Sequence, residues 1–586
     1  MSCIPSRRTG SREFLSAALL LSTIACGGEG GGSAAPAAEP ARRPNILLIS
    51  LDSVRADMLS CYGFVPPFAK GKATTPHLDQ IAAEGARFER AYSSSTWTLA
   101  SHMALITGQP DVVHGVEVDN RSLSAERPVL AELLQDGGYQ TAGFYSGPYL
   151  DPRYGFGRGF RRYESAYGGP LAEAAEEERR AFAAVDAAKA QGRDLEAVIE
   201  DLDRAIRKLE DLSHLDVSSE RVTDGAISAL DEAGEGQPWF LFAHYFDPHY
   251  DYVAPADFAT SFDPGYGGEL DGRGLLVDPR ISVSEPRPRD PFRRRLVASP
   301  RDWQHLLSLY AAELAWTDSQ IGRLLGAIEE RGELDNTLIV VVADHGDEFF
   351  EHGHLGHRMN LFNESLQVPM ILRFPANIAG GTVVPGPVAT YDAFATILSA
   401  AGIEAPPGTT ARDLQPAIDG VSAQEHRPLS RLIRVHYGPG PEGTRLRTTR
   451  VFESFLAWPI KVLRLREWSD RPKGTISQGA AQEIEKRAQL GREVDFSLRW
   501  IDLGADPRES AASWSTDFEE PRAKRALAEF QALYPRLLRL RRRPNLVPQD
   551  RGQQAQLQAL GYGGEDEDQP STDEQLEYYT LSPPGR

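Results

Sequence analysis

The chain has 586 residues and a formal net charge of −20, with 63 lysines and arginines against 83 aspartates and glutamates. Hydrophobic residues make up 41% of it, and a chain of this length buries enough apolar surface to fold without disulfide staples. This composition excludes wholesale disorder and a collagen-like fibre. The acidic balance argues against a nucleic-acid partner, whose binding surface would be basic.

The N-terminus has the pattern of a bacterial export signal. Three arginines precede an apolar run over 14–24, which is too short to span a bilayer but has the size of a signal-peptide core. The run ends in Thr-Ile-Ala-Cys at 23–26, similar to a lipobox, in which the cysteine is lipidated; ordinary cleavage nearby is the alternative. We therefore expect a lipid anchor at Cys26 and a bacterial cell-envelope location, periplasmic or surface-facing.

The body of the chain alternates short apolar runs with helical patterns. The predicted strands are 45–51, 141–145, 239–246, 338–343 and 368–374. Runs of this length are typical of strands covered on both faces, and the clearest helix is predicted over 305–331, just before Gly332. Such alternation indicates an α/β fold with a mostly parallel sheet covered by helices.

Composition also suggests how the chain is divided. The predicted parts are a signal peptide (1–25), a flexible Gly/Ala/Pro-rich linker (26–44), a catalytic domain (45–405), a smaller C-terminal subdomain (406–550) and an acidic disordered tail (551–586). Residues 172–215 form a predicted helical insertion, for which a solvated helix without a specific role is the favoured interpretation. A surface loop is expected over 255–300, and a helix over 523–540.

Acidic and imidazole side chains follow three predicted strands. They are Asp52 after the first strand, Asp344 and His345 after the 338–343 strand, and His244, Asp247 and His249 around the end of the 239–246 strand. Ligands of open parallel sheets collect outside the carboxyl ends of the strands. Asp52, Asp344 and His345 offer oxygen and nitrogen ligands suited to a divalent cation such as Zn²⁺, Mn²⁺, Mg²⁺ or Ca²⁺, although a lone aspartate there can also cap a helix.

A nucleophile candidate lies ahead of a short helix predicted over 101–107. Thr98 precedes this helix, where free backbone N–H groups favour an anion, and a threonine oxygen next to a metal is more readily deprotonated. Alternatively, Thr98 only caps the helix. Arg55, close to Asp52, could pair with a carboxylate or meet an anionic substrate.

The motifs together resemble the sulfatase branch of the alkaline phosphatase superfamily. The matching segments, in the family's order, are 45–57 leading to 62–63, then 74–78, 98–108, 114–115, 244–249, and 342–349 running to 354–357. This resemblance implies an alkaline-phosphatase-like α/β sandwich with a large, mostly parallel sheet, helices on both faces and a smaller C-terminal subdomain.

The resemblance also implies roles for individual residues. By this resemblance, Asp52, Asp344 and His345 are metal ligands and Thr98 is the metal-bound nucleophile. His249 corresponds to a histidine that contacts the substrate or the leaving group. His357 stands where many sulfatases have a lysine, and His102 stands where the nucleophile motif usually has an arginine. Sulfatases convert a cysteine or serine to formylglycine, which threonine cannot become. Ser53 also replaces a carboxylate that is frequent in sulfatases.

These residues predict a metal-dependent hydrolase of sulfate or phosphate esters, with a modest preference for phosphorus. The expected substrate is an anionic small molecule, glycan or lipid ester. An envelope phospho-group transferase and a catalytically silent binding lipoprotein remain alternatives, as does a second metal ion held by His249, Asp247 or His357.

Overall fold

The computed structural model describes residues 43–118, 121–191, 196–234, 236–275, 299–421, 427–439, 445–470, 495–542 and 544–546. The predicted signal peptide, the Cys26 anchor and the acidic tail lie outside these residues. The strands are β1 (Asn45–Leu51), β2 (Ala86–Tyr92), β3 (Arg121–Ser122), β4 (Gln140–Tyr145), β5 (Arg162–Ser165), β6 (Trp239–Tyr245), β7 (Thr337–Ala343), β8 (Glu348–Phe349), β9 (Leu355–Gly356), β10 (Gln367–Val368), β11 (Met370–Arg373), β12 (Thr382–Ala389), β13 (Leu429–Pro439), β14 (Arg445–Ala457), β15 (Ile460–Asp470), β16 (Asp495–Asp502) and β17 (Asn545–Leu546). The α-helices are α1 (Pro76–Glu84), α2 (Thr98–Thr107), α3 (Asp111–His114), α4 (Leu130–Asp136), α5 (Gly169–Ala190), α6 (Glu196–Ser213), α7 (Ser219–Glu232), α8 (Ala256–Ala259), α9 (Pro300–Glu330), α10 (Asn363–Leu366), α11 (Asp392–Ala400), α12 (Gln415–Ile418) and α13 (Pro521–Leu540).

A nine-stranded, mostly parallel sheet forms the centre of the fold. Its order is β10-β2-β11-β7-β1-β6-β4-β5, with β12 beside β2. β1 pairs in parallel with β6 and β7, and β4 with β5 and β6. The strand predicted over 368–374 is instead interrupted at Pro369, which cannot donate to a ladder, and its halves β10 and β11 run antiparallel to their neighbours. The predicted α/β class is confirmed.

Alternate residues of β1 show why the sheet needs helices on both faces. All seven residues of β1 are buried. Ile46 and Leu48 pack in one apolar cluster with residues of α2, whereas Leu47 and Ile49 pack in another with residues of α9. Side chains of successive strand residues point to opposite faces, so a strand that is apolar throughout must be covered twice.

Helix α9 begins five residues before the predicted start at 305. Ser299 and Asp302 form a reciprocal capping box, and Pro300 occupies the first turn, where its missing N–H costs nothing. Gly332 lies just after the helix with φ +68°, the left-handed conformation that glycine commonly adopts where a helix ends. Across the described residues, we find no helix with the length and apolar character of a membrane span.

A four-stranded antiparallel sheet, β13-β14-β15-β16, follows the central sheet in the chain. Helix α13 packs on it, and Phe530 stacks on Phe455 with ring centroids 5.4 Å apart. Strand β13 also contacts the segment that leads into α2, because Arg431 donates its backbone N–H to Ser94 O across 2.7 Å and Ser95 Oγ donates to Arg431 O across 2.8 Å. The second sheet therefore supports the chain segment that precedes Thr98.

Candidate active site

Two carboxylates stand side by side at the carboxyl ends of the central strands. Strands β1 and β7 pair in register, Leu51 opposite Ala343, so the next residues, Asp52 and Asp344, are adjacent. Ser53 fixes both carboxylates: its backbone N–H donates to Asp344 Oδ1 across 3.1 Å, and its hydroxyl donates to Asp52 Oδ1 across 2.9 Å. Ser53 has φ +58°, a left-handed backbone conformation that costs a serine conformational energy. This conformation directs its backbone N–H and its hydroxyl at the two carboxylates.

His345 completes the group that the sequence predicted. Its Nε2 lies 3.2 Å from Asp344 Oδ2 and 3.9 Å from Asp52 Oδ1. Burial lowers the pKa of His345 well below its ordinary value, so the ring is neutral and Nε2 can carry a lone pair. The next residue has to be Gly346, since a Cβ there would lie 2.3 Å from Glu364 O.

Thr98 is the first residue of α2 rather than the residue ahead of it. Trp97 is the N-cap and makes no side-chain capping bond. Thr98 Oγ1 lies 3.4 Å from Asp52 Oδ2 and 3.2 Å from His345 Nε2. The hydroxyl thus points at the carboxylate and imidazole, and this geometry does not fit the alternative that Thr98 only caps the helix.

The charge at this site fits a divalent cation. Within the described residues, the ion-pair contacts of Asp52 and Asp344 are to histidines alone, at His102, His244 and His345. Burial lowers the pKa of His102 and of His244 to about 3, so neither ring carries a balancing charge at neutral pH. Burial, followed by the Asp52 charge, raises the pKa of Asp344 well above its usual range, and Asp344 Oδ2 accepts no hydrogen bond from the described chain. Two buried carboxylates and a neutral imidazole are the donor set that a bound cation would satisfy.

His102 is held by the protein at both ring nitrogens. Its Nδ1 lies 2.8 Å from Thr98 O, and its Nε2 lies 2.8 Å from Ser50 Oγ. The ring is fully buried beneath the site. The catalytic role expected for His102 therefore does not fit its contacts, and a structural role under α2 does.

His357 and His249 continue from His345 along one side of the site. The ring centroids of His345 and His357 are 4.2 Å apart, and those of His357 and His249 are 5.1 Å apart. His357 Nδ1 lies 2.8 Å from Asp347 Oδ1, whose other oxygen accepts from Tyr252 OH across 2.9 Å. When Asp347 is ionised, Nδ1 must carry the proton in that bond. His357 Nε2 then carries a lone pair and can face the site.

His249 is held in a similar way. Its Nδ1 lies 2.5 Å from Tyr250 O. Because a carbonyl oxygen can only accept, Nδ1 donates in this bond, and Nε2 of the neutral ring carries a lone pair. The ring also stacks on Phe246 with centroids 4.3 Å apart. Burial lowers the pKa of His249 and of His357 well below the ordinary value. Both rings are therefore neutral at neutral pH.

Asp247 does not join the site. Its carboxylate accepts from Ser219 N across 2.8 Å, Ser219 Oγ across 2.5 Å and Ser218 N across 3.1 Å, and so holds the start of α7. A second ion on Asp247 does not fit these bonds. A second set with metal-ligand spacing does occur, formed by His345, Asp347 and His357.

Arg55 takes the first of its two predicted roles. It pairs with Asp57 across 2.8 Å and with Glu351 across 2.6 Å. These carboxylates occupy the guanidinium, which supports the loop around the site rather than a substrate.

Sequence reasoning missed four side chains around the site. They are Asp347, which positions His357; Arg358, whose guanidinium stacks 4.2 Å from the Trp97 ring; and His214 and Tyr250, which pack on His249. Asp347 lies within the 342–349 motif, where its carboxylate was a usable signal. His214 is a lone histidine after a charged helix, a pattern without any such signal.

The α/β sandwich with these groups at its strand ends has the architecture of a hydrolase of sulfuric or phosphoric esters. The chain belongs to the sulfatase family, within the alkaline phosphatase superfamily: the family model described as Sulfatase matches residues 44–403. It is 23% identical over 471 residues to N-acetylglucosamine-6-O-sulfatase of Bacteroides thetaiotaomicron, covering 69% of this chain and 78% of that protein.

Solved structures share the fold. One is BT4656 in complex with its substrate D-glucosamine-2-N,6-O-disulfate, with a TM-score of 0.56, 18% identity and coverage of 85% of this chain and 98% of that one. Another is phosphonate monoester hydrolase of Agrobacterium radiobacter, with a TM-score of 0.54, 20% identity and coverage of 84% and 96%. At these identities the likeness establishes the fold.

Proposed function

We propose that this protein is a metal-dependent hydrolase of phosphate or sulfate esters in which Thr98 is the nucleophile. The observation that carries the proposal is the position of Thr98 Oγ1 at the first residue of α2, 3.4 Å from Asp52 Oδ2 and 3.2 Å from His345 Nε2. The hydroxyl has acceptors for its proton within 3.4 Å, and Thr98 stands at a helix N-terminus, where backbone N–H groups without intrahelical partners favour an anion.

Asp52, Asp344 and His345 would hold the divalent cation, next to Thr98. When bound, the cation supplies Lewis-acid stabilisation of the negative charge on the transferring group. The cation would supply the positive charge that the buried carboxylates lack, because the histidines that contact them are neutral.

The chain's own residues supply the remaining chemistry. Thr98 Oγ1 attacks the phosphorus or sulfur in line, its proton passes to the Asp52 carboxylate, and the bond to the ester oxygen breaks. Water then cleaves the phospho- or sulfo-threonine. In the neutral rings of His249 and His357, Nε2 is an acceptor; a ring that takes up a proton there on substrate binding can donate it to the transferring group or to the leaving oxygen. We assign His102 a structural role.

Threonine at the nucleophile position favours phosphorus over sulfur. It cannot become formylglycine, and threonine nucleophiles are found in the phosphodiesterases and phosphotransferases of this superfamily. The similarity to a phosphonate monoester hydrolase supports this preference, whereas the similarity to sugar sulfatases keeps sulfate esters in the proposal. Anionic glycan or lipid esters are the substrate classes we propose.

We also propose a lipid anchor at Cys26 and a place in the bacterial envelope. Support comes from the arginine-led apolar run over 14–24 and the lipobox-like residues 23–26. Metabolic labelling with a fatty acid should mark the wild type but not Cys26→Ala. Equal labelling of both would refute the anchor.

The function is tested by one substrate panel. Metal-loaded protein is assayed on an aryl sulfate, a phosphate monoester, a phosphate diester and a phosphonate monoester. We expect turnover of at least one phosphorus ester and its loss in Thr98→Ala. Sulfate turnover alone would overturn the preference for phosphorus, transfer to an added alcohol in place of hydrolysis would indicate a transferase, and no turnover with tight ligand binding would indicate a silent binding protein.

A further inference from the structure

The face of β6 that packs under α2 is apolar until it reaches His244. Phe240 and Phe242 lie on this face, in the same apolar cluster as residues of α2. His244 is two residues further along the strand, so its side chain points to the same face, and it is fully buried there. Burying an imidazole where an apolar side chain would fit costs free energy unless its polar atoms have partners. A buried histidine at this position therefore calls for an explanation.

The Nε2 atom of His244 approaches the first of the two active-site carboxylates. It makes no hydrogen bond within the described residues, and it lies 3.5 Å from Asp52 Oδ2. A shift of about half an ångström would bring these two atoms to hydrogen-bond distance. Asp52 Oδ2 is also the oxygen that lies 3.4 Å from Thr98 Oγ1. One carboxylate oxygen therefore faces both the proposed nucleophile and the His244 nitrogen.

Strand pairing and ring packing hold His244 in this place. Ser50 and His244 are paired residues of β1 and β6, and the backbone N–H of Asp52 donates to Tyr245 O across 2.9 Å. The His244 ring meets the His102 ring edge-on, with centroids 4.8 Å apart. His102 is itself held by Ser50 Oγ, which lies 2.8 Å from its Nε2. The contact between His244 and Asp52 is thus determined by the fold.

We propose that His244 is a positioning residue whose Nε2–H donates to Asp52 Oδ2 and holds this carboxylate in the orientation that serves both the cation and Thr98. The inference rests on the proposed metal-dependent function. An ionised carboxylate can only accept a hydrogen bond, so the nitrogen that faces Asp52 is the one that carries the proton.

A neutral imidazole suits this task better than a cationic side chain. A guanidinium or ammonium group beside Asp52 would offset the negative charge that attracts the cation, whereas a neutral N–H orients the carboxylate and leaves its charge in place. Loss of such an orienting partner typically lowers metal affinity or activity about ten- to a hundredfold. The expected effect of removing the His244 donor is therefore large enough to measure.

The test measures metal affinity, which does not need turnover. Chelated full-length protein is titrated in a calorimeter with Zn²⁺, Mn²⁺, Mg²⁺ or Ca²⁺ alone. In His244→Phe, which fills the space without a donor, we expect the Kd of the cation that binds the wild type most tightly to rise about ten- to a hundredfold. His244→Leu is a second donor-free variant, and His244→Gln, which keeps an N–H, should recover most of the affinity. The control His305→Phe removes a buried imidazole that contacts Asp263 and Leu270 O, and should leave the Kd unchanged.

A spectroscopic readout separates positioning from a general loss of structure. The visible absorption of bound Co²⁺ depends on the geometry of its ligands, and should change in His244→Phe and much less in His244→Gln. Wild-type affinity in both donor-free variants, or equal losses in His244→Phe and His244→Gln, would overturn the role of His244 and leave the proposed function standing. A wild type that binds none of these cations would instead refute the metal-dependent function, and the role of His244 with it.

Discussion

Asp347 Oδ1 lies 2.8 Å from His357 Nδ1, so a buried carboxylate holds the ring for which the sequence resemblance implies the place of the sulfatase lysine. The second carboxylate oxygen is fixed by Tyr252 OH across 2.9 Å. A lysine needs no such partner, because its ammonium donates in several directions, whereas an imidazole must be held in one tautomer to present Nε2.

Removing the Asp347 carboxylate should therefore lower turnover more than substrate binding. We expect Asp347→Ala to reduce kcat roughly ten- to a hundredfold with a smaller change in KM, in line with the loss of other orienting partners. Asp347→Asn keeps an acceptor for Nδ1–H and should retain more activity. Steady-state kinetics together with metal content measures this. A pure KM effect, or equal losses in both variants, would show that orientation of His357 is not the cause.

Metal binding should stabilise the fold through Asp344. A ligand that binds only the native state adds about 2.7 kcal/mol at a hundred times its Kd. We expect the Tm to rise when a divalent cation is added to chelated protein and not to rise in Asp344→Asn. The matched control is Asp247→Asn, whose carboxylate bonds to Ser218 and Ser219 away from the site and which should still respond. An equal rise in Asp344→Asn would place the ion elsewhere.

A buried charge cluster should dominate the stability of the second sheet. Glu453 is fully buried and accepts from Arg464 Nε across 2.6 Å and from Arg466 Nη2 across 2.8 Å. Glu453→Gln leaves buried guanidinium groups uncompensated and should cost about 3 to 5 kcal/mol in the free energy of unfolding by urea. The control Glu467→Gln removes a half-buried pair with Arg450 and should cost at most about 1 kcal/mol. Similar losses in both variants would contradict this account.

The same residue predicts a pH dependence of stability. Burial alone would raise the pKa of Glu453, but Arg464, Arg466 and Arg431 outweigh it and lower the pKa from 4.5 to about 2. The ionised group therefore stabilises the fold fully above pH 4.5, and this contribution is lost as the pH falls towards 2. The gap in unfolding free energy between wild type and Glu453→Gln should narrow over that range. A gap that stays constant below pH 4.5 would refute the lowered pKa.

Sequence patterns predicted the centre of the fold well. The apolar runs of β1, β6 and β7 are each buried along their whole length, so local composition alone identifies them. Strand β2 (Ala86–Tyr92) was missed because polar residues interrupt it. The antiparallel direction of β10 and β11 was also missed, since strand direction depends on pairings with distant residues that composition does not record.

The same division holds for the site. Asp52, Asp344, His345 and Thr98 were predictable because residues that directly follow neighbouring strands, and the start of one helix, meet at one edge. The contact between His214 and His249 joins residues 35 positions apart through tertiary packing alone. His102 matched a motif position, but its role depends on which groups its nitrogens meet, here Thr98 O and Ser50 Oγ.

The central claim is that Thr98 forms a covalent ester with the transferred group. The most direct measurement is mass spectrometry of peptides from enzyme quenched during turnover of its best ester, alongside Thr98→Ser and Thr98→Ala. We predict a phosphoryl or sulfuryl group on the peptide that contains Thr98, the same group on Thr98→Ser, and neither adduct nor turnover in Thr98→Ala. Full turnover by Thr98→Ala with unchanged metal content, or an adduct on another residue, would contradict the account.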